Sequence, residues 1–92
     1  MTLPHGDEIV AIAAKHGAEL VRVFGSRARG DARPESDVDL LVRLAPDRDL
    51  LDLCAMRAEL EERFGMHFDV VSERGLSPYL RERILGEAQV LA

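Results

Sequence analysis

Three aspartates lie in apolar segments of the chain, Asp37 and Asp39 in DVDLLVRL and Asp69 in HFDVV. Side chains alternate along a strand, so the carboxylates of Asp37 and Asp39 would share one face, about 6.6 Å apart. Like charges so placed repel each other unless a cation neutralises them, and Mg²⁺ is typically held by one or two carboxylates and substrate phosphates. Asp69 would complete a three-carboxylate cluster. The alternatives are an ordinary strand-start pair and, for Asp69, an edge-strand acid that faces solvent.

The dipeptide Gly25-Ser26 follows the apolar run ELVRVF directly. A Gly-Ser that opens a short helical turn exposes backbone N–H groups to an anion, and the hydroxyl adds one more donor. The alternative is an ordinary turn with a serine cap. Acids that hold a metal, beside donors that hold phosphate, favour a nucleoside triphosphate site.

Periodicity, caps and turn residues predict the elements that position these groups. The predicted elements are helices over 6–16, 47–64 (capped by Asp47) and 78–85 (capped by Ser77, with Gly86 after its end), strands over 19–24, 37–44 and 67–71, and a short edge strand in the tail EAQVLA. This order favours an α/β or α+β fold, a small mixed sheet of three or four strands with helices packed on it. The short polar link between the first two strands leaves no room for a full crossover helix, so we expect them to pair antiparallel.

The chain length, net charge and distribution of apolar residues argue against several classes of function. The 92 residues fit a single domain, 1–92. The net charge of −5 argues against direct nucleic acid binding, which needs clustered Lys and Arg. The start MTLPHGDEIV lacks the basic and apolar regions of a signal peptide, and no apolar run approaches the about 18 residues of a membrane span. No membrane association is expected.

Several other residues have structural interpretations. Cys54 is the one cysteine, which excludes an internal disulfide and agrees with a cytoplasmic location. It falls on the apolar face predicted for the helix over 47–64, so we expect it to be buried. Tyr79 is expected to pack near Leu80, with a self-modification site as the alternative. The three histidines are too scattered to form a metal site.

The run GSRARGDARPESDVDLLV is the basis for a family resemblance. Gly25-Ser26, a gap of ten residues, Asp37-x-Asp39 and a further strand acid, Asp69, resemble the nucleotidyltransferases of the DNA polymerase beta superfamily. The full run is similar to the minimal nucleotidyltransferases (MNT), which are commonly paired with HEPN-domain proteins in bacterial and archaeal toxin–antitoxin systems. The resemblance covers nearly the whole chain and implies the nucleotidyltransferase fold.

The resemblance also implies an activity, namely metal-dependent transfer of AMP from ATP to a hydroxyl, expected to be a tyrosine, of a HEPN toxin. Two Mg²⁺ ions, or Mn²⁺ in their place, would assist. Asp37 and Asp39 would bind both ions, and Asp69 would bind the catalytic one near the attacking hydroxyl. Four residues would contact the nucleotide: Gly25, Ser26, Arg27 and Arg29. The arginines are placed there because guanidinium groups match phosphate oxygens; their alternative is solvated surface charge.

Two other functions stay open. The protein could be a non-catalytic antitoxin that neutralises its toxin by binding alone, or it could modify a small molecule such as an aminoglycoside. The second would call for further chain to build an acceptor pocket. Because a small domain with an open site and an edge strand gains buried surface by association, a homo- or hetero-oligomer is also expected.

Overall fold

The computed structural model describes residues 5–91, so residues 1–4 of the start and residue 92 of the tail lie outside the described residues. Residues 5–91 contain four strands, four α-helices and one 3₁₀ turn. In chain order these are α1 (Gly6–Lys15), β1 (Ala18–Phe24), α2 (Ser26–Arg29), β2 (Val38–Leu44), α3 (Leu50–Phe64), β3 (Phe68–Ser72), the 3₁₀ turn (Glu73–Gly75), α4 (Pro78–Glu87) and β4 (Gln89–Val90). The predicted order of elements is confirmed, and most boundaries move by one to three residues.

The strands form one mixed sheet in the order β3-β2-β1-β4. β1 runs antiparallel to β2 and to β4, whereas β2 and β3 are parallel. The antiparallel β1–β2 pair confirms the expectation drawn from the short link. The parallel pair needs a crossover, and α3 supplies it. The predicted edge strand is confirmed as β4, which pairs with β1.

One face of the sheet carries the core. Alternate residues of β1 and β2 point into it together with buried residues of α1 and α3: Val21, Val23, Val38, Leu40, Val42, Ile9, Ala13, Met56 and Leu60. The residues between them in β2, among them Asp39 and Arg43, therefore point to the opposite face. We call this second face, which carries Asp39, the open face.

Helix α3 differs from the prediction at two points. It begins at Leu50 because Asp49, and not Asp47, caps it. The Asp49 carboxylate accepts from the Leu51 N–H at 2.9 Å, and Asp52 accepts from the Asp49 N–H at 2.9 Å, which forms a capping box. The burial expected for Cys54 is wrong, since its side chain is exposed. The helix turns Met56 and Leu60 to the core instead.

Helix α4 is longer than predicted and differs in character. Ser77 caps it as predicted, by accepting from the Leu80 N–H at 3.3 Å, but Gly86 lies inside the helix and not after its end. Every residue of α4 is at least partly exposed. Tyr79, expected to pack, has 83% of its surface exposed because α4 does not enter the core. Among the helices of residues 5–91, none has the length and apolar character needed to cross a membrane.

Candidate active site

Asp39 and Asp69 are direct neighbours in the sheet. They are paired in the parallel register of β2 and β3, which sets their Cα atoms about 4.8 Å apart. Their strand neighbours Val38 and Phe68 are buried in the core, so both aspartates point to the open face. Asp37 precedes β2 directly and is exposed. The sheet thus brings the second and third predicted acids together at one end of two parallel strands.

The surroundings of the Asp39 carboxyl group disfavour its ionised form. Partial burial raises its pKa above the ordinary value, and the negative charges of Asp69 and then Asp37 raise it further. The pKa is lowered in part by the positive charge of Arg29. The three acids are therefore close enough for their charges to interact, and a bound cation would relieve the repulsion.

Gly25 lies between β1 and α2 and approaches Asp39 more closely than any other residue type could. Its φ of 74° is in the region that disfavours L side chains. A Cβ at this position would overlap Oδ2 of Asp39. The preceding residue, Phe24, is the register partner of Asp39 across β1 and β2. Ser26, the first residue of α2, follows Gly25 directly and lines the same cavity as Asp39.

These residues open into a cavity of about 400 Å³, within the volume range of small-molecule sites. Its walls come from the β1–α2 turn, from β2 and from α4: Phe24, Gly25, Ser26, Arg29, Asp39, Leu80, Arg83, Ile84 and Glu87. The α4 members follow the spacing i, i+3, i+4, i+7, which places them on one face of the helix. We call this the α4 cavity.

The two predicted arginines have different surroundings. Arg29 lines the cavity and contacts Asp31 and Glu87, each at 3.4 Å. Its hydrogen bond to Asp31 is the main reason that its pKa is raised, so it stays charged. Arg27 instead donates to the backbone carbonyls of Ser36 at 2.7 Å and Asp37 at 3.4 Å. Arg27 thus braces the loop that leads into β2, and its contact with a nucleotide stays a prediction.

The profile of the nucleotidyltransferase domain family matches residues 8–91, nearly the whole chain. The chain belongs to the nucleotidyltransferase domain family. A provisionally named protein adenylyltransferase of Methanocaldococcus jannaschii is 41% identical over 88% of this chain and 87% of its own length. The protein adenylyltransferase MntA of Thermococcus cleftensis is 33% identical, over 88% of this chain and 90% of its own.

Solved structures agree with the fold of this nucleotidyltransferase. A provisionally named minimal nucleotidyltransferase is 49% identical, with a TM-score of 0.83 over 94% of this chain and 88% of that one. A chain from a complex of tri-AMPylated Shewanella oneidensis HEPN toxin with MNT antitoxin has a TM-score of 0.75 over 97% of this chain and 70% of that one. At 19% identity, the second likeness is one of fold. The predicted nucleotidyltransferase fold and the resemblance to minimal nucleotidyltransferases are confirmed.

The carboxylates of this nucleotidyltransferase suit a hard cation in donor type. Within residues 5–91, however, no three Asp, Glu, His or Cys side chains converge in an arrangement that would hold a metal by themselves. Mg²⁺ needs no such complete protein cage, because it commonly takes one or two carboxylates, substrate phosphates and water. Asp39 and Asp69 meet that requirement, with Asp37 as a further oxygen donor nearby.

Four residues of the cavity were missed by the sequence reasoning, all of them on α4: Leu80, Arg83, Ile84 and Glu87. The i, i+3, i+4, i+7 spacing was the available signal, since it mixes two apolar and two charged residues on one helix face. Nothing in the sequence indicated that this face turns toward Asp39, because that placement depends on the pairing of β4 with β1.

Proposed function

We propose that residues 1–92, acting as one nucleotidyltransferase domain, transfer AMP from ATP to a hydroxyl, expected to be a tyrosine, of a HEPN-domain toxin, and so act as its antitoxin. The observation that carries this proposal is the pairing of Asp39 with Asp69 beside the Gly25–Ser26 turn. Asp39 faces the same cavity as Gly25 and Ser26, with Asp69 as its neighbour in the sheet, and a carboxylate pair beside phosphate donors suits a nucleoside triphosphate.

In the proposed reaction the acceptor oxygen attacks the α-phosphorus of ATP. The new P–O bond forms as the bond between the α- and β-phosphates breaks, and pyrophosphate leaves. Asp69 accepts the proton of the attacking hydroxyl. The Ser26 hydroxyl and the backbone at Gly25 donate to phosphate oxygens, and Arg29 neutralises their charge. Arg27 holds the loop before Asp37 through its bonds to the backbone.

Two Mg²⁺ ions, or Mn²⁺ in their place, would stabilise the attacking and leaving oxygens. Asp37 and Asp39 would bind both ions, and Asp69 would bind the one beside the acceptor. The raised pKa of Asp39, caused by burial and by its two acidic neighbours, supports a cation at this position because a bound cation removes that repulsion.

The names of similar proteins support the proposal that the acceptor is a HEPN-domain protein. The Thermococcus cleftensis relative is named a protein adenylyltransferase, and the complex of like fold contains an AMPylated HEPN toxin. We extend both to this chain as part of the proposal. A substrate such as ATP and a single cysteine both suit the cytoplasm, where we place the reaction.

The test is to incubate the protein with ATP, Mg²⁺ and a HEPN-domain toxin, encoded beside it if its neighbouring gene is of this class, and to measure the mass of the toxin. We expect an adduct of one or more nucleotides, and none with Asp39→Asn. Asp47→Asn removes the same charge at an exposed turn residue and should keep the adduct. Absence of an adduct with each of the four common ribonucleoside triphosphates would refute the proposal.

A second function, neutralisation of the toxin by binding alone, is favoured by two observations. In residues 5–91 the three aspartates do not converge on a metal position, and Glu87 already occupies donors of the cavity. If binding alone suffices, the double variant Asp37→Ala, Asp39→Ala would still rescue cells from the toxin. If transfer is required, this variant would fail to rescue them while still folding.

A further inference from the structure

The carboxylate of Glu87 occupies the anion donors at one end of the α4 cavity. Its Oε1 accepts from the Gly25 N–H at 3.2 Å, and its Oε2 lies 3.4 Å from Nη1 of Arg29. A backbone N–H beside a guanidinium is equally suited to a phosphate oxygen, because both anions accept charge-assisted hydrogen bonds. Glu87 therefore stands where the proposed function requires part of a triphosphate.

Arg83 lies one turn before Glu87 on the same face of α4 and lines the same cavity. The ion pairs found within residues 5–91 involve six other arginines and not Arg83. Its side chain is exposed. An arginine without an internal carboxylate partner at the wall of a cavity is available to an anionic ligand.

The attachment of α4 allows such an exchange. Every residue of α4 is at least partly exposed, so little packing fixes the helix in place. The bonds of α4 itself near the cavity are those of Glu87, and just beyond the helix Gln89 of β4 donates from Nε2 to the Ala28 carbonyl at 3.1 Å. With Glu87 in place, the two arginines of the cavity wall are balanced by two acids, Asp39 and Glu87. With Glu87 withdrawn, Asp39 is the one acid left, and the wall gains net positive charge.

We propose that the phosphates of a bound nucleoside triphosphate displace Glu87 from Gly25 and Arg29, and that Arg83 then binds the same phosphates. Glu87 is thus an internal competitor for the site, and Arg83 a substrate-binding residue. This inference rests on the proposed function, since it assumes that the cavity takes a nucleotide.

The experiment measures the Kd of ATP with Mg²⁺ by calorimetry for the full chain and four variants. Arg83→Gln is matched by Arg81→Gln, and Glu87→Gln by Glu82→Gln; each control makes the same charge change on an exposed α4 residue outside this cavity. We expect Arg83→Gln to bind roughly tenfold more weakly than Arg81→Gln, as loss of a charge-assisted hydrogen bond implies.

We expect Glu87→Gln to bind roughly threefold more tightly than Glu82→Gln, because a competitor that occupies the site lowers the fraction able to bind. Gln can still accept from the Gly25 N–H, so the variant removes charge with little change in shape. With AMP in place of ATP, Arg83→Gln should equal its control, since the β- and γ-phosphates are missing.

Two results would overturn the inference alone: equal binding by Arg83→Gln and Arg81→Gln, or weaker binding by Glu87→Gln than by Glu82→Gln. A wild-type protein that binds no triphosphate would overturn the proposed function as well. Thermal unfolding of each variant checks its fold. Glu87→Asp, which keeps the charge but shortens its reach to Gly25, gives a second reading and should also bind more tightly than wild type.

Discussion

At the scale of single residues, the site depends on the contact between Gly25 and Asp39. The backbone of Gly25 passes so close to the Asp39 carboxylate that no side chain fits between them. Asp39 in turn is partly buried between two acids, which makes its ionised form unfavourable. The environment of Asp39 therefore costs the folded state free energy at neutral pH.

Replacement of Asp39 should stabilise the fold while it abolishes transfer. A raised folded-state pKa means that protonation of Asp39 favours folding, and that contribution is lost as the pH rises above the ordinary value of 3.8 and through the folded one. At pH 7 the charged carboxylate therefore destabilises the fold, so Asp39→Asn should raise the Tm. The difference in Tm between Asp39→Asn and Asp47→Asn should shrink toward pH 3. A Tm of Asp39→Asn below that of Asp47→Asn at pH 7 would contradict this interpretation.

Replacement of Gly25 by alanine should cost more than backbone strain alone. A non-glycine residue at positive φ costs about 1–2 kcal/mol. Gly65 has a φ of 64° with no atom within 4 Å of a Cβ, so Gly65→Ala reports that strain by itself. Gly25→Ala should exceed it for two reasons: with a ψ of −151° Gly25 lies in a region that essentially only glycine adopts, and Asp39 must also move. Urea unfolding compares the two, and we expect only Gly25→Ala to weaken ATP binding.

At the scale of elements, the strands were easier to predict than the helices. Alternation along β2 and β3 was sufficient to orient Asp39 and Asp69, since a strand residue has only two faces to choose from. In α3 the apolar residues surround more of the helix, so the pattern did not distinguish the buried Met56 and Leu60 from the exposed Leu50 and Cys54. The position of α4 depends on long-range pairing, which local patterns do not encode.

The packing of α3 gives a direct test of this assignment. Leu60 is fully buried, whereas Leu51 in the same helix is 77% exposed. Leu60→Ala should destabilise the protein by about 2–5 kcal/mol, as loss of a buried leucine side chain does. Leu51→Ala should change the free energy of unfolding by less than about 0.5 kcal/mol. Similar losses for both, measured by urea unfolding, would mean that the face of α3 is assigned incorrectly.

At the scale of the whole molecule, acidic groups on α3 link the helix to the rest of the domain. Glu59 is held by His16 and then Lys15, and Glu61 by the backbone N–H of Phe68 and by Arg57 and His67, so the pKa of each carboxyl is lowered. These contacts reach from α3 to α1 and to β3. The charge pattern therefore ties together elements that are distant in sequence.

The stability of the domain should fall in acid. A lowered pKa contributes stability above the unfolded value, 4.5 for these glutamates, and that stability is lost as the pH falls through the folded value. The free energy of unfolding should therefore decrease below about pH 4.5, the ordinary glutamate value. Glu59→Gln should make this decrease shallower than Glu62→Gln, an exposed position on the same helix. Equal slopes for the two variants would contradict the role of Glu59.

The pairing of β4 with β1 has a consequence for synthesis of the protein. The N–H of Leu91 donates to the Val21 carbonyl at 2.9 Å, and its side chain is buried against the first helix. The sheet edge and one wall of the cavity can therefore form only after residues 78–91 have been synthesised, which is long after the synthesis of β1. Contacts of such sequence separation form late. A growing chain would carry Asp39 and Asp69 yet lack this wall of the cavity until translation reaches residues 78–91.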